Sequence, residues 1–521
     1  MLRQVFTAVV AALALRAPLA AQAPPPPSDP VVAAIREEGI ARSRVLDLAQ
    51  ALMDSVGPRL TGTPGSTAAS DWLVRSYRSW GIDARAESYG TWHGWRRGIT
   101  HLDLIAPRVR TLEATMLAWS PGSRGPVTAP AVILPELRDE GERAAFLGAV
   151  KGKVVLVTAP QPSCRPQDSW QKWAAPESIE LLQQARDSTR ARWSRHARSF
   201  GVARIDELVQ LLEGAGAAAF LSSEWSQGWG VQKVFGAYSK ETAPHLDVAC
   251  EDYGLLWRLA ERGQGPIVRL EADAEPLGEV PVANTVAMIR GTALPEEYVL
   301  LSAHLDSWDG SSGATDNGTG TVAMMEAMRI LRTVLPRPRR TIMVGHWNGE
   351  EQGLNGSRAF AADHPEIVAG LQALFNQDDG TGRIDRITME GLVGPGAYFR
   401  DWLQEIPDEL TAGVTLLDPG TPGRGGTDNA SFTCAGAPAF GLNSRGWDYG
   451  TYTWHTNRDT FDKLVPDELR RNATLIALLA YFASEAPERL PRERVELAVD
   501  ARTGQRPTWP ACGQPQRSSG R

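Results

Sequence analysis

The chain has 521 residues, 42% of them hydrophobic and 22% charged, with a formal net charge of -7. That length exceeds what a single hydrophobic core serves, so two or more domains are expected. The composition is that of a globular protein, and the absence of a basic stripe excludes a nucleic-acid partner.

The chain opens with Arg3, an apolar run over 5–15 and small residues in A-x-A spacing at 21–23. This reads as a secretory leader over 1–23, too short to span a bilayer, followed by a stiff proline spacer at 24–27. No later run approaches about 20 apolar residues. The mature protein is therefore expected to be exported, periplasmic or extracellular, without a stable membrane anchor. Export permits disulfides among Cys164, Cys250, Cys434 and Cys512. Cys164–Cys250 is the preferred pair, because both fall in one segment, and free buried thiols are the alternative.

Apolar spacing predicts a helix over 30–55 with Asp29 as N-cap, a turn-rich loop over 57–65, and a helix over 66–80 closed by Gly81. Strands follow at 83–89 and 100–105. The character changes near residue 125. Strands are expected at 127–134 and 153–158, helix over the charged, tryptophan-rich stretch 170–200, and a helix at 204–213. A tight turn into a buried strand at 214–221, a helix at 251–261 and a strand at 267–270 complete this part. It carries no catalytic spacing and reads as a separate, mostly β domain, with the charged stretch a solvated face. Alternation resumes with strands at 282–289 and 298–301, a helix at 318–331, strands at 340–347, 373–377 and 412–417, and a helix at 466–483. The tail after 492 is rich in Pro, Arg and Gly and reads as poorly ordered. The expected architecture is α/β, a mainly parallel central sheet with helices on both faces. It is assembled from 24–124 and 279–490, with 125–278 inserted and 491–521 a tail.

Polar residues gather where these strands end. His304, Asp306 and Asp316 lie in the loop after 298–301, and Glu350 and Glu351 follow 340–347. Asp378 and Asp379 follow 373–377, Asp428 and Asn429 lie in a Gly-Gly-Thr-Asp-Asn loop, and His455 comes later. Loops at the carboxyl ends of parallel strands cluster at one edge. Adjacent carboxylates repel unless a cation or proton compensates. One imidazole set with several carboxylates suits a divalent ion, zinc ahead of magnesium or calcium. Read one at a time, these residues are equally ordinary loop polars, an exposed acidic turn and a structural histidine.

Five motifs in order resolve that choice: AHLDSW at 303–308, GATDNGTG at 313–320, NGEEQGLNGS at 348–357, QDDGT at 377–381 and HTNRDT at 455–460. Together they resemble the family M28 metallopeptidases, and within them the carboxypeptidase Q branch. The resemblance covers nearly the whole mature chain. It includes a protease-associated insertion, with GKVVLV at 152–157 and EGAGAAAFL at 213–221.

The resemblance implies two zinc ions per chain: His304 and Asp378 on one, Glu351 and His455 on the other, Asp316 bridging. It implies Glu350 as general base and Asp306 as the group orienting the His304 imidazole. Asp379 competes for the place of Asp378. Where several family members carry a histidine, this chain has Asn429, so specificity does not carry over. Asp428, Asn429 and Tyr452 are candidates for the substrate pocket, Tyr449 and Tyr452 for an oxyanion contact, and Asp428 either binds a substrate amine or caps its loop. His245, His346 and His364 read as structural or surface residues. The implied activity is exopeptidase action on short peptides or dipeptides, of carboxypeptidase or dipeptidase type, with aminopeptidase action next. A catalytically dead binding protein and a single-zinc glutaminyl cyclase are the readings from other classes. The insertion is suited to shaping the pocket, recruiting substrate or supporting a homodimer.

Overall fold

The computed structural model describes residues 29–520. The expected leader and proline spacer lie outside them. Among the described residues, no helix is long and apolar enough to cross a membrane.

Helical turns run from residue 30 to 56, with the Asp29 carboxylate capping Val31 at 2.8 Å. The single helix expected here is interrupted at 42–44. The Arg44 amide leaves the helix ladder there and donates to buried Glu326. No glycine or proline marks that break. Helix α1, Pro64–Ser79, starts earlier than expected because Thr63 caps it and Pro64 takes its first position, where a missing N–H costs nothing.

Strand β1, Asp83–Ala106, pairs antiparallel along its length with β7, Ile267–Ile289. Short strands were expected in place of each. Gly90, Gly94 and Gly98 in β1, and Pro276, Gly278 and Pro281 in β7, read as breakers. They are accommodated in one long ribbon by register shifts between Ser88 and Gly90, Gly94 and Trp95, and Arg97 and Thr100. The expected boundary at 278/279 thus falls inside a continuous strand.

Between the arms of the ribbon lie β2 (Ala114–Met116), β3 (Val127–Ile133), β4 (Val154–Leu156), β5 (Ala219–Ser222) and β6 (His245–Val248). β3 to β6 are parallel, and β2 closes the edge antiparallel. Helices Glu140–Ala149, Pro176–Ser199, Ile205–Gly214 and Cys250–Glu261 accompany them, so the segment carries more helix than its strand-rich reading implied. Pro176–Ser199 buries only Leu182 and is a solvated face, as its charge suggested.

The sheet continues with β8 (Leu294–His304), β9 (Arg340–Trp347), β10 (Leu371–Asn376), β11 (Ile384–Thr388), β12 (Thr415–Leu417) and β13 (Ala439–Ser444), beside three two-residue strands. The sheet runs β12-β11-β13-β10-β8-β9-β7 and continues through β3-β4-β5-β6-β2. β9, β8, β10 and β13 are mutually parallel. On one face pack Thr319–Val334, here α2, and Pro466–Glu485, here α3, both wrapped by the N-terminal turns. On the other, Trp347, Phe360 and Phe432 cluster. Continuous apolar strands covered on both sides are what a parallel sheet requires.

The structure joins Cys164 to Cys250, the preferred pair, and Cys434 to Cys512. The second bond corrects the reading of the tail as poorly ordered. The segment beyond 492 is almost without regular structure, yet it is fastened. Trp509 Nε1 donates to the Thr433 carbonyl (3.1 Å), Gln516 N to Asn355 Oδ1 (2.9 Å), and Arg517 pairs with Asp363 at 2.7 Å.

Candidate active site

β8 ends at His304, and the chain turns through 305–318 before entering α2. Arg59 fixes this turn from beneath. It is fully buried and donates to the carbonyls of Gly57 (3.0 Å), Leu305 (2.7 Å), Ser312 (2.6 Å) and Gly313 (2.8 Å). Gly313 has φ +57°, and a Cβ there would lie 2.3 Å from the Ser307 Cβ, so only glycine fits. The Asp459 carboxylate then accepts from the amides of Thr315 (2.7 Å) and Asp316 (3.0 Å) and aims Asp316 at the strand ends. Sequence reasoning missed Arg59. Asp459 was within a quoted motif but had no assigned role.

Five of the expected residues meet. His304 Nε2 lies 3.1 Å from Asp378 Oδ1 and 3.3 Å from Asp316 Oδ1. His455 Nε2 lies 3.1 Å from Asp316 Oδ2 and 2.9 Å from Glu351 Oε2. Each triad, His304–Asp316–Asp378 and Asp316–Glu351–His455, converges on a common point, and Asp316 presents a different oxygen to each. Of the adjacent aspartates, Asp378 stands in the triad, while Asp379 accepts from the Ser444 amide at 3.2 Å.

Asp306 acts differently from expectation. Its backbone carbonyl, 2.9 Å from His304 Nδ1, is the closer contact, while its carboxylate stands 3.7 Å off. That carboxylate instead receives the amides of Glu350 (3.2 Å) and Glu351 (3.3 Å). A proton on Nδ1 directed to the carbonyl leaves the Nε2 lone pair facing the triad.

The electrostatics call for a cation. Burial, then the neighbouring Asp316, pushes the Glu351 carboxyl up to about 8. Burial likewise raises Glu350 well above the carboxylate range, and takes Asp428 and Asp459 to about 7. Burial opposes the charged form of His455, but Asp316 and Glu351 overcome it and raise the imidazole to about 9. Glu351 Oε1 is buried with no hydrogen bond. Arg59 is the buried positive charge beneath, already committed to carbonyls. Two imidazoles and three carboxylates with converging lone pairs and too few protons therefore fit divalent metal. Glu350 belongs to neither triad, as a base beside the metal site requires.

The pocket candidates separate. Asp428 is fully buried near His304 and Asp378, with the Ser357 hydroxyl beside it and no hydrogen bond of normal length on either carboxylate oxygen. It does not cap its loop by its side chain. Asn429 is buried next to it, with its side chain against Glu390. Tyr452, with Tyr449, Trp447 and Lys463, lines a cavity of about 220 Å³ beside the centre. Trp308, also unremarked in the sequence, walls the metal cleft, its ring centroid 6.0 Å from that of His455. His346 bonds the Tyr77 hydroxyl, His364 pairs with Glu87, and His245 is wholly buried, all structural as read.

Residues 284–480 match the sequence pattern of peptidase family M28. Mouse carboxypeptidase Q is 26% identical over 446 residues, 85% of this chain and 86% of that protein. Residues 284–480 thus carry a peptidase family M28 domain, and the similarity to carboxypeptidase Q extends over most of the chain. Human carboxypeptidase Q is 25% identical over 458 residues, 87% of this chain and 88% of the relative. Among solved structures, an M28 peptidase precursor from Shewanella amazonensis superposes with a TM-score of 0.62. It is 25% identical and covers 88% of this chain and 97% of its own. A zinc aminopeptidase from Bacillus subtilis shares the fold at a TM-score of 0.54 and 18% identity, covering 88% and 98%. The expected family, its mainly parallel α/β fold and its peptidase character are borne out.

Proposed function

We propose that this M28 peptidase is an exported zinc exopeptidase that hydrolyses short peptides or dipeptides at a dinuclear centre, in the carboxypeptidase or dipeptidase sense. One observation carries the reading: two His–carboxylate triads share Asp316 through different oxygens. His304 and Asp378 would hold one zinc, Glu351 and His455 the other, with Asp316 common to both. When bound, zinc supplies Lewis acidity at the scissile carbonyl and acidifies a neighbouring water.

The chain's own residues do the rest. Glu350, a buried carboxylate beside the two triads and in neither, takes a proton from the attacking water and returns it to the leaving amine. Asp306 holds the Glu350 and Glu351 amides, so base and ligand stay on opposite sides of one turn. Trp308 limits solvent at the cleft. Export is supported by two disulfides, which persist in oxidising compartments. Residues 125–278 are read as a protease-associated layer.

A second reading, aminopeptidase action, is favoured by Asp428, a buried carboxylate with no cation paired to it that would pair with a substrate amine. A panel of free, N-blocked and C-blocked dipeptides with zinc-loaded protein separates the two. Cleavage of N-blocked but not C-blocked substrates is expected; the reverse establishes aminopeptidase action, and no cleavage removes the peptidase reading. Metal analysis should find two zincs per chain, whereas one tightly bound ion would favour the cyclase-like alternative.

A further inference from the structure

Residues 224–237 of the inserted segment reach across to the strand of chain that carries His455. Val234 N donates to the His455 carbonyl at 2.8 Å, and Asn457 N to the Gln232 carbonyl at 3.0 Å. Gln232 N returns a bond to Asn457 Oδ1 at 3.0 Å, and the Phe235 ring stands edge-on to the imidazole at 5.2 Å. His455 sits at φ +53°, a left-handed conformation a histidine rarely adopts, and this pairing helps hold it there.

Lys233 lies in the middle of that contact. Its ammonium sits 4.3 Å from the Trp454 ring centroid, and the Trp454 ring stacks on His455 at 3.9 Å. Nζ donates to the carbonyls of Trp454 and, at 3.4 Å, Gly450. An ammonium has three N–H donors, so one remains. Four other described cations nearby are committed. Arg59 is spent on four carbonyls, Arg97 holds Asp309, Arg458 holds Glu113, and Lys463 holds Asp462. Lys233 alone among these has no carboxylate bound and no carbonyl cage closed around it. Burial lowers its pKa to about 8, while Asp316 and then Glu224 oppose that loss of charge.

We propose that Lys233, presented by the inserted segment over the Trp454 ring, binds the terminal α-carboxylate of the substrate and so sets carboxy-terminal specificity. The inference rests on the exopeptidase reading above. The two layers then divide the work. The α/β sheet supplies the metal ligands, and the inserted layer supplies the group that recognises the chain end. An ammonium already partly desolvated and seated on an aromatic face binds a carboxylate more strongly than one free in water.

The test compares one dipeptide with its C-terminal amide, using the full mature chain loaded with zinc. Wild type should prefer the free acid. Lys233→Met should raise KM for the acid by about tenfold to a hundredfold, the worth of a hydrogen bond to a charged group. The loss should sit in KM rather than kcat and erase the preference over the amide. Lys233→Arg should retain much of the preference. Should Lys233→Met fail to fold, Lys233→Gln keeps a donor for the carbonyls while removing the charge, and the same loss of preference is expected. Calorimetric binding of the acid and the amide to a Glu350→Gln background gives a readout independent of turnover, with the same discrimination expected. Equal hydrolysis of acid and amide by wild type overturns this inference and leaves the peptidase reading intact. So does a Lys233→Gln protein that loses equally on both substrates. No cleavage of either substrate overturns the peptidase reading, and this inference with it.

Discussion

Arg59 is surrounded by backbone carbonyls, and its charge faces Asp459, Asp306, Asp316 and Glu351. It serves as the fixed countercharge under a cluster of acids, and it stitches both ends of the 305–313 loop to the N-terminal turn. Arg59→Met should leave four carbonyls unpaired and the acids uncompensated, at a cost of about 3–5 kcal/mol. Denaturant unfolding of the zinc-loaded protein measures this, and a loss within ordinary surface variation would show the loop to be held by other bonds. At Glu350 the expected effect is catalytic instead. Glu350→Gln should keep its zinc and fold while activity falls by about 10²–10⁴-fold, as the loss of a general base does. Near-normal turnover by that variant would remove Glu350 from the role. Asp306 shows how far a motif reaches. Its presence two residues beyond His304 was legible, but the division of labour between its carbonyl and its carboxylate was not, since that depends on where the next strand's turn lands.

Strand ends account for most of what the sequence disclosed. His304, Glu351 and Asp378 each follow an apolar run of β8, β9 or β10, and parallel strands bring such ends to one edge. Asp316 and His455 were recoverable because their motifs are compact. The ribbon of β1 and β7 was hidden because glycines and prolines that normally end strands are absorbed here at bulges. Lys233 was hidden for a different reason. Its partner segment is more than 200 residues away in sequence, and neither stretch carries a pattern that announces the other. The 224–237 segment also makes an element-scale prediction. Asn457→Ala keeps its backbone bond to the Gln232 carbonyl but removes the side-chain bonds to the Gln232 amide and the Gly230 carbonyl, and should loosen His455, lowering affinity for one of the two zincs more than the other. Stepwise zinc titration would detect that asymmetry, and equal weakening of both would argue that the segment braces the centre as a whole.

For the whole molecule, the metal-free form has a definite pH response. His455 is raised to about 9 in the folded chain against 6.5 unfolded, so its contribution is complete below 6.5 and is lost as pH rises through 9. Glu351, raised to about 8 from 4.5, holds its proton when folded and releases it when unfolded, so it acts in the same direction between those values. The chelated protein should therefore melt at a lower temperature at pH 8 than at pH 6. Zinc, which displaces those protons, should restore more stability at the higher pH. A metal-free melting temperature that climbs across this range would contradict the assignment. The Cys434–Cys512 bond closes a loop that brings the tail back past the 430–434 turn. Replacing both cysteines by serine should cost about 2–4 kcal/mol and open the tail to trypsin at its arginines, visible by mass spectrometry.

The ribbon governs how the inserted layer is carried. Both connections to the inserted layer are hydrogen-bonded to each other along nearly their full length. Such a joint does not swing as a pair of loose linkers would, because rotation at one arm must shear the ladder of the other. Compliance is concentrated at the bulges, near residues 88–100 in β1. The inserted layer is therefore held at two places, by the ribbon at its base and by the bonds of Val234 and Gln232 to the His455 segment at its tip, so the bulges can adjust its approach only as far as those bonds allow.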